Sequence, residues 1–128
     1  MGFDPSTTKP EIDFPGAVAP TELVIEDLKP GDGVEAKVGD TIKAHYVGVA
    51  HSTGEEFDAS WGRGAPLEFR LGVGQVIRGW DDGIVGMLVG GRRKLTIPAN
   101  LAYGDRGAGG AIKPGEALIF VVDLVDAR

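Results

Sequence analysis

The sequence predicts an α+β fold: a curved antiparallel β-sheet of about five strands wrapped around one short α-helix. Three observations lead there. Segments with the two-residue period of a strand recur along the chain. Only one segment carries the helical period. The repeated strand–helix–strand units of a parallel sheet are missing, and 128 residues suit a single domain.

Residues 1–20 hold Pro5, Pro10, Pro15 and Pro20 with few apolar residues between them. Fixed φ and missing N–H groups predict an extended or disordered tail, so the domain is placed at 21–128. Glu22–Leu28 has a β-branched centre and runs into the turn cluster Lys29-Pro30-Gly31-Asp32-Gly33. Thr41–Ala50 alternates, with Ile42, Ala44 and Tyr46 on one side and Thr41, Lys43 and His45 toward solvent. Residues 51–66 read as a loop. Leu67–Leu71 is a strict period-two strand.

The helix signal follows. Ile77, Trp80, Ile84, Val85 and Leu88 share one helical face, and Gly86 is its stop signal. Asp81 and Asp82 sit in the early turns, where the positive end of the helix dipole favours acids. Gly83 costs such a helix about 1 kcal/mol relative to Ala. Arg92–Ile97 then places Arg93, Leu95 and Ile97 on one face. After a Gly-rich loop at 101–115, Ala117–Val125 is nearly continuously apolar, with Leu118, Phe120, Val122 and Leu124 facing inward. Such a run suits a central strand covered over most of its length.

Composition excludes several functions. The chain has no Cys, so disulfides, thiolate nucleophiles and Cys-ligated metals are ruled out. The net charge of −6 comes from the first 40 residues, and no basic stripe exists to meet nucleic acid. No apolar run reaches about 18 residues, so no membrane span is expected. The N-terminus lacks the order of a secretory signal, and Met1–Ser6 fits only the bare myristoylation pattern in a poor context. The expectation is a cytoplasmic monomer needing no cofactor and no metal.

The remaining motifs narrow the chemistry. Gly72-Val73-Gly74 is half a dinucleotide-binding fingerprint, but Ile77 occupies the third glycine position and no ribose-binding acid follows. His45 and His51 lack partners at metal-ligand spacing. Glu55-Glu56 and Asp81-Asp82 read as solvated surface. The aromatics are more informative: Tyr46, Phe57, Phe69, Trp80, Tyr103 and Phe120 fall on inward strand faces, the helix, or a glycine-rich loop edge. Two of them carry hydroxyls that need partners if buried, and Asp58, beside Phe57, needs a counter-charge, for which Arg63 is the nearest candidate. This set describes a cleft with apolar walls and main-chain hydrogen bonds. Rotation about a peptide bond is among the few reactions that such a site supports without acid–base chemistry.

His45-Tyr46-Val47-Gly48, Phe57-Asp58-Ala59-Ser60, Pro66–Gly72, Val76-Ile77-Arg78-Gly79-Trp80, Ala102-Tyr103-Gly104 and Leu118-Ile119-Phe120 occur in order. Together they resemble the FKBP-type peptidyl-prolyl cis-trans isomerases, a family that binds immunosuppressive macrolides, over about residues 21–126. The resemblance implies a pocket between sheet and helix. Trp80 would be its floor and Tyr46, Phe57, Val76, Ile77 and Phe120 its walls. The Ile77 N–H would hold a substrate carbonyl. Tyr103 and Asp58 would stand at the rim, and Arg63 would orient Asp58 and Tyr46. Leu67, Phe69, Gln75, Ala102, Ala108 and Ile112 complete the implied substrate-binding set. Leu67 stands where many members have an aromatic, Gln75 where a Glu is common, and Ala108 and Ala111 where larger residues are frequent. The implied partners are proline-containing peptides and unfolded or folding proteins, with macrolides as inhibitors. The alternative is a prolyl-peptide or macrolide-binding module without turnover. Phe14-Pro15 adds a reading in which the tail docks in its own or a neighbour's pocket.

Overall fold

The structure, a computed structural model, describes residues 9, 10, 12, 18–108 and 112–128. The expectations for Met1–Ser6, for Phe14-Pro15 and for Ala111 lie outside those residues.

Six strands form one antiparallel sheet: β1 (Val24–Lys29), β2 (Thr41–Ala50), β3 (Glu56–Ala59), β4 (Leu67–Arg70), β5 (Arg92–Ile97) and β6 (Leu118–Ala127). Their order is β1-β5-β6-β2-β3, with β4 also paired to β2. The long strands β2 and β6 lie at the centre, paired from Ile42 opposite Ala127 to Ala50 opposite Leu118, with a register shift between Lys43 and Ala44. The one α-helix among the described residues, α1 (Arg78–Ile84), packs against the concave face.

Alternation places the core as expected. Ile42, Ala44 and Tyr46 of β2, Leu95 and Ile97 of β5, and Leu118, Phe120, Val122 and Leu124 of β6 are buried with Trp80 and Ile84 of α1. Two expectations need correction. The span 51–66 is not all loop: it holds β3, which pairs with the second half of β2 through a bulge, and a 3₁₀ turn at Trp61–Arg63. The helix also stops at Ile84, short of the apolar pattern that runs to Leu88. Val85 leaves helical geometry and Gly86 takes φ +93°. Met87 then fills the buried place, while Leu88 is 37% exposed and bridges to Glu35.

His45 is on the outer face, as alternation requires, but it is half-buried rather than free in solvent. Its ring stacks on Trp61 at 4.4 Å, and Nδ1 lies 2.9 Å from Ser60 Oγ. Arg93 likewise does more than occupy a strand face. Its guanidinium donates to the carbonyls of Gly83 (2.8 Å) and Val85 (3.3 Å), satisfying the helix C-terminus, and pairs with Asp27 of β1.

Gly83 has a reason to be glycine that helix propensity hides. A Cβ there would lie 2.7 Å from Leu95 Cδ2, and one at Gly79 would lie 2.5 Å from Ile97 Cγ2. One turn apart, the two glycines let α1 sit directly on β5. Gly83→Ala should therefore destabilise the protein, although it improves helix propensity by about 1 kcal/mol. Overpacking a filled core costs about 1–3 kcal/mol, the larger effect. Urea denaturation decides the sign, and a stabilised variant would show that the close packing is not limiting.

Candidate active site

A cleft of about 170 Å³ opens between α1 and the concave face. It is lined by Tyr46, Phe57, Asp58, Leu67, Gln75, Val76, Ile77, Trp80, Tyr103 and Phe120. The volume equals about five or six waters, enough for a proline ring and its flanking atoms.

The floor comes from the helix. Trp80 is 3% exposed and meets three rings: Tyr46 edge-on at 5.0 Å, Phe120 edge-on at 5.1 Å, and Phe69 tilted at 5.6 Å. Phe57 then stands edge-on to Phe120 at 5.5 Å. These edge-to-face contacts are the arrangement that ring quadrupoles favour, and they hold the indole without a hydrogen bond. Its Nε1 is buried with no partner among the described residues.

The lip beside the floor is set by a turn. Gly72 and Gly74 adopt φ +84° and +80°, which only glycine takes readily. Their amides donate to the two carboxylate oxygens of Asp81, at 2.7 and 2.9 Å. Asp81 thus braces the turn as well as favouring the helix start. The turn delivers Val76 and Ile77 to the cleft. The Ile77 carbonyl accepts from Trp80 and Asp81, while no acceptor among the described residues takes the Ile77 N–H.

The opposite rim is polar. Tyr46 Oη donates to Asp58 Oδ2 at 2.5 Å, and Arg63 donates to Tyr46 Oη (2.7 Å) and Asp58 Oδ1 (3.0 Å). Burial alone would raise the Asp58 carboxyl, but hydrogen bonds from Tyr46 and Arg63 and the guanidinium charge outweigh it and hold it below the ordinary value. Burial, reinforced by the bond to Asp58, pushes the Tyr46 phenol up. The rim therefore keeps one carboxylate ionised and one phenol protonated at neutral pH. Tyr103, 40% exposed, is the remaining hydroxyl on the cleft.

Several expected residues lie outside this lining. Arg63 acts on Asp58 and Tyr46 from the solvent side. Phe69 is core, behind Trp80. Ala102 and Ala108 are half-buried against the core. Ile112 is buried and tied to Ala108 by paired backbone bonds of 2.9 and 3.2 Å. Gln75 lines the cleft, and its side-chain oxygen accepts from the Arg70 amide at 2.8 Å. Among the described residues, no group of three or more metal-ligating side chains is found.

Gly48 is the site residue that sequence reasoning missed. A Cβ there would lie 2.6 Å from Phe120 and 2.7 Å from Phe57. Its missing side chain is what lets the two rings approach across β2. A glycine inside a strand was the available signal, since it often marks close approach.

A family model for FKBP-type peptidyl-prolyl cis-trans isomerases matches residues 33–125. The chain belongs to this family. An FK506-binding protein of Streptomyces anulatus is 67% identical over 121 residues, covering 94% of this chain and 98% of that one. The peptidyl-prolyl cis-trans isomerase FPR2 of Saccharomyces cerevisiae is 52% identical over 95 residues, 74% of this chain and 70% of that one. Among solved structures, that of AtFKBP13 superposes with a TM-score of 0.78 at 46% identity, covering 88% of this chain and 98% of that one. The FKBP-type match takes in β2 to β5 in full and β6 as far as Val125, and it contains the whole aromatic cleft.

Proposed function

We propose that this cleft is where the isomerase works: it binds an Xaa-Pro unit with the ring over Trp80 and favours the twisted form of the amide. The observation that carries this reading is the Ile77 N–H, a donor without an acceptor among the described residues, on an aromatic-lined cleft floored by an indole. A substrate carbonyl supplies the missing acceptor. Tyr103 offers a second donor, and the other cleft residues position the chain.

The barrier to rotation, about 18–20 kcal/mol, is lost amide resonance. At the top of the barrier the carbonyl is less zwitterionic than in the planar amide. A water-poor aromatic surface therefore favours the twisted state over the ground state, and only such differential binding accelerates the step. Each 1.36 kcal/mol of preference is worth about tenfold in rate. The substrates are proline-containing segments of peptides and of unfolded or folding proteins. The names of the bacterial relatives make FK506 the inhibitor to try.

No step requires a protonation change, since Asp58 stays ionised and Tyr46 stays protonated. The kcat/KM for a Xaa-Pro tetrapeptide should therefore be flat within about twofold from pH 6 to 8, and FK506 should abolish it. A bell-shaped profile in that range would sink the mechanism. Binding of peptide and FK506 without acceleration would instead assign a non-catalytic prolyl-binding module.

A further inference from the structure

Part of the outer face of the sheet is buried on the side away from the helix. Val47 and Val49 of β2 and Ile119 and Val121 of β6 are only 2–3% exposed. The pairing Val47–Val121 and Val49–Ile119 makes them one contiguous apolar strip across the two central strands. The helix lies on the other face, against Leu95 and Ile97. Trp61 stacks on His45 at 4.4 Å, at one end of the strip. Four apolar side chains removed from water need a cover.

One residue of the N-terminal segment reaches the edge of this strip. Lys9 Nζ pairs with Glu56 Oε1 at 2.8 Å. Glu56 is the cross-strand partner of Val49, so it stands on the same outer face at the edge of the strip. Pro10 and Ile12, which follow, are half-buried. The ion pair is exposed and contributes little energy by itself. It places Lys9 at the edge of the strip. The similarity to the Streptomyces anulatus protein covers 94% of this chain, so it too extends into this segment.

We propose that the chain's own N-terminal segment, through Pro10 and Ile12, is a strap docked on the outer face of β2 and β6. It acts as a structural cover, on the side of the sheet opposite the cleft. It is therefore not a pseudo-substrate, and removing it uncovers an apolar surface while leaving the cleft intact. This inference does not depend on the catalytic reading.

The absence of Cys makes the test clean. A single thiol introduced by Val49→Cys is labelled in the full-length chain and in a chain lacking residues 1–20. The strap predicts slow labelling in the first and at least tenfold faster labelling in the second, with a synthetic peptide of residues 1–20 restoring protection. Ile12→Asp in the full-length Val49→Cys chain should also accelerate labelling, which keeps the test decisive if the shortened chain does not fold. Equal rates in the full-length chain with and without Ile12→Asp overturn the proposal. So does protection that appears only at high protein concentration, which would assign the face to a second copy. The kcat/KM of a shortened chain that folds should match the full-length value within about twofold. A large rise on deletion would place the tail in the cleft instead and overturn the strap.

Discussion

Asp58→Ala is expected to lower kcat/KM toward a Xaa-Pro tetrapeptide by about 10- to 100-fold while the protein remains folded. Asp58 accepts hydrogen bonds from Tyr46 and Arg63 on the cleft rim. Bonds to a charged group are worth about 1.5–3 kcal/mol, which is one to two powers of ten in rate if felt at the transition state. Removing the carboxylate leaves the Tyr46 hydroxyl without its acceptor and frees Arg63 to leave the rim. Asp58→Asn, which keeps the shape and loses the charge, should fall between parent and Ala. Tyr103→Phe removes only one exposed hydroxyl and should be milder. An Asp58→Ala protein with unchanged kcat/KM would remove the rim from the mechanism. The same variant carries a stability signature. A carboxyl held below its unfolded value stabilises above that value, and the contribution is lost as pH falls through the folded pKa. The gap between parent and variant should close in acid. It will be modest, because the side chain is 42% exposed.

Arg92→Leu should destabilise the fold by about 3–5 kcal/mol at neutral pH, the cost of leaving a buried charge unpaired. Asp123 lies in the central strand β6 with its side chain 3% exposed, and Arg92 from β5 grips it through two bonds of 2.7 and 3.2 Å. Burial raises the Asp123 carboxyl above the ordinary value, with Arg92, then His45 and Lys29, pulling it partway back. A carboxyl raised in the folded state opposes folding fully above its folded pKa, and the penalty fades as pH falls from there to the unfolded value. Removing Arg92 raises it further. The loss caused by Arg92→Leu should therefore be largest above neutrality and shrink as pH falls, the reverse of ordinary acid denaturation. Urea titrations of parent and variant at pH 7.5 and 4.5 measure the difference directly. The double replacement Arg92→Leu/Asp123→Leu should be milder than the single, since no charge is stranded. A loss under about 1 kcal/mol, or one that grows in acid, would contradict this account.

What could be seen in advance followed from burial patterns. The alternation in β2, β5 and β6 identified the inward faces, because a strand's side chains alternate whatever it pairs with. The continuous apolar run of β6 marked it as central. The aromatic residues on those faces pointed to the cleft, and the resemblance supplied their implied roles. β3 carries little strand signal in the sequence because it is four residues long, mixes Phe57 with Asp58, and pairs through a bulge. The apolar period runs on through Val85 to Leu88, but the chain leaves helical geometry at Val85 and turns at Gly86, the stop signal.

The amino-acid order alone settled the fold class, the strand faces, the single helix and the aromatic cast of the site. Each of these rests on local period and residue type, which a chain carries without a partner. Folding settled the distances. Whether Gly83 is a weakness or a fit depends on Leu95 across the interface. Gly48 matters because Phe57 and Phe120 meet over it. Asp81 serves a turn as well as a helix dipole. The central strands needed a second cover, which periodicity showed only as an unusually apolar run. These are relations between residues far apart in the chain, set by steric contact and charge pairing in three dimensions, and a one-dimensional pattern does not contain them.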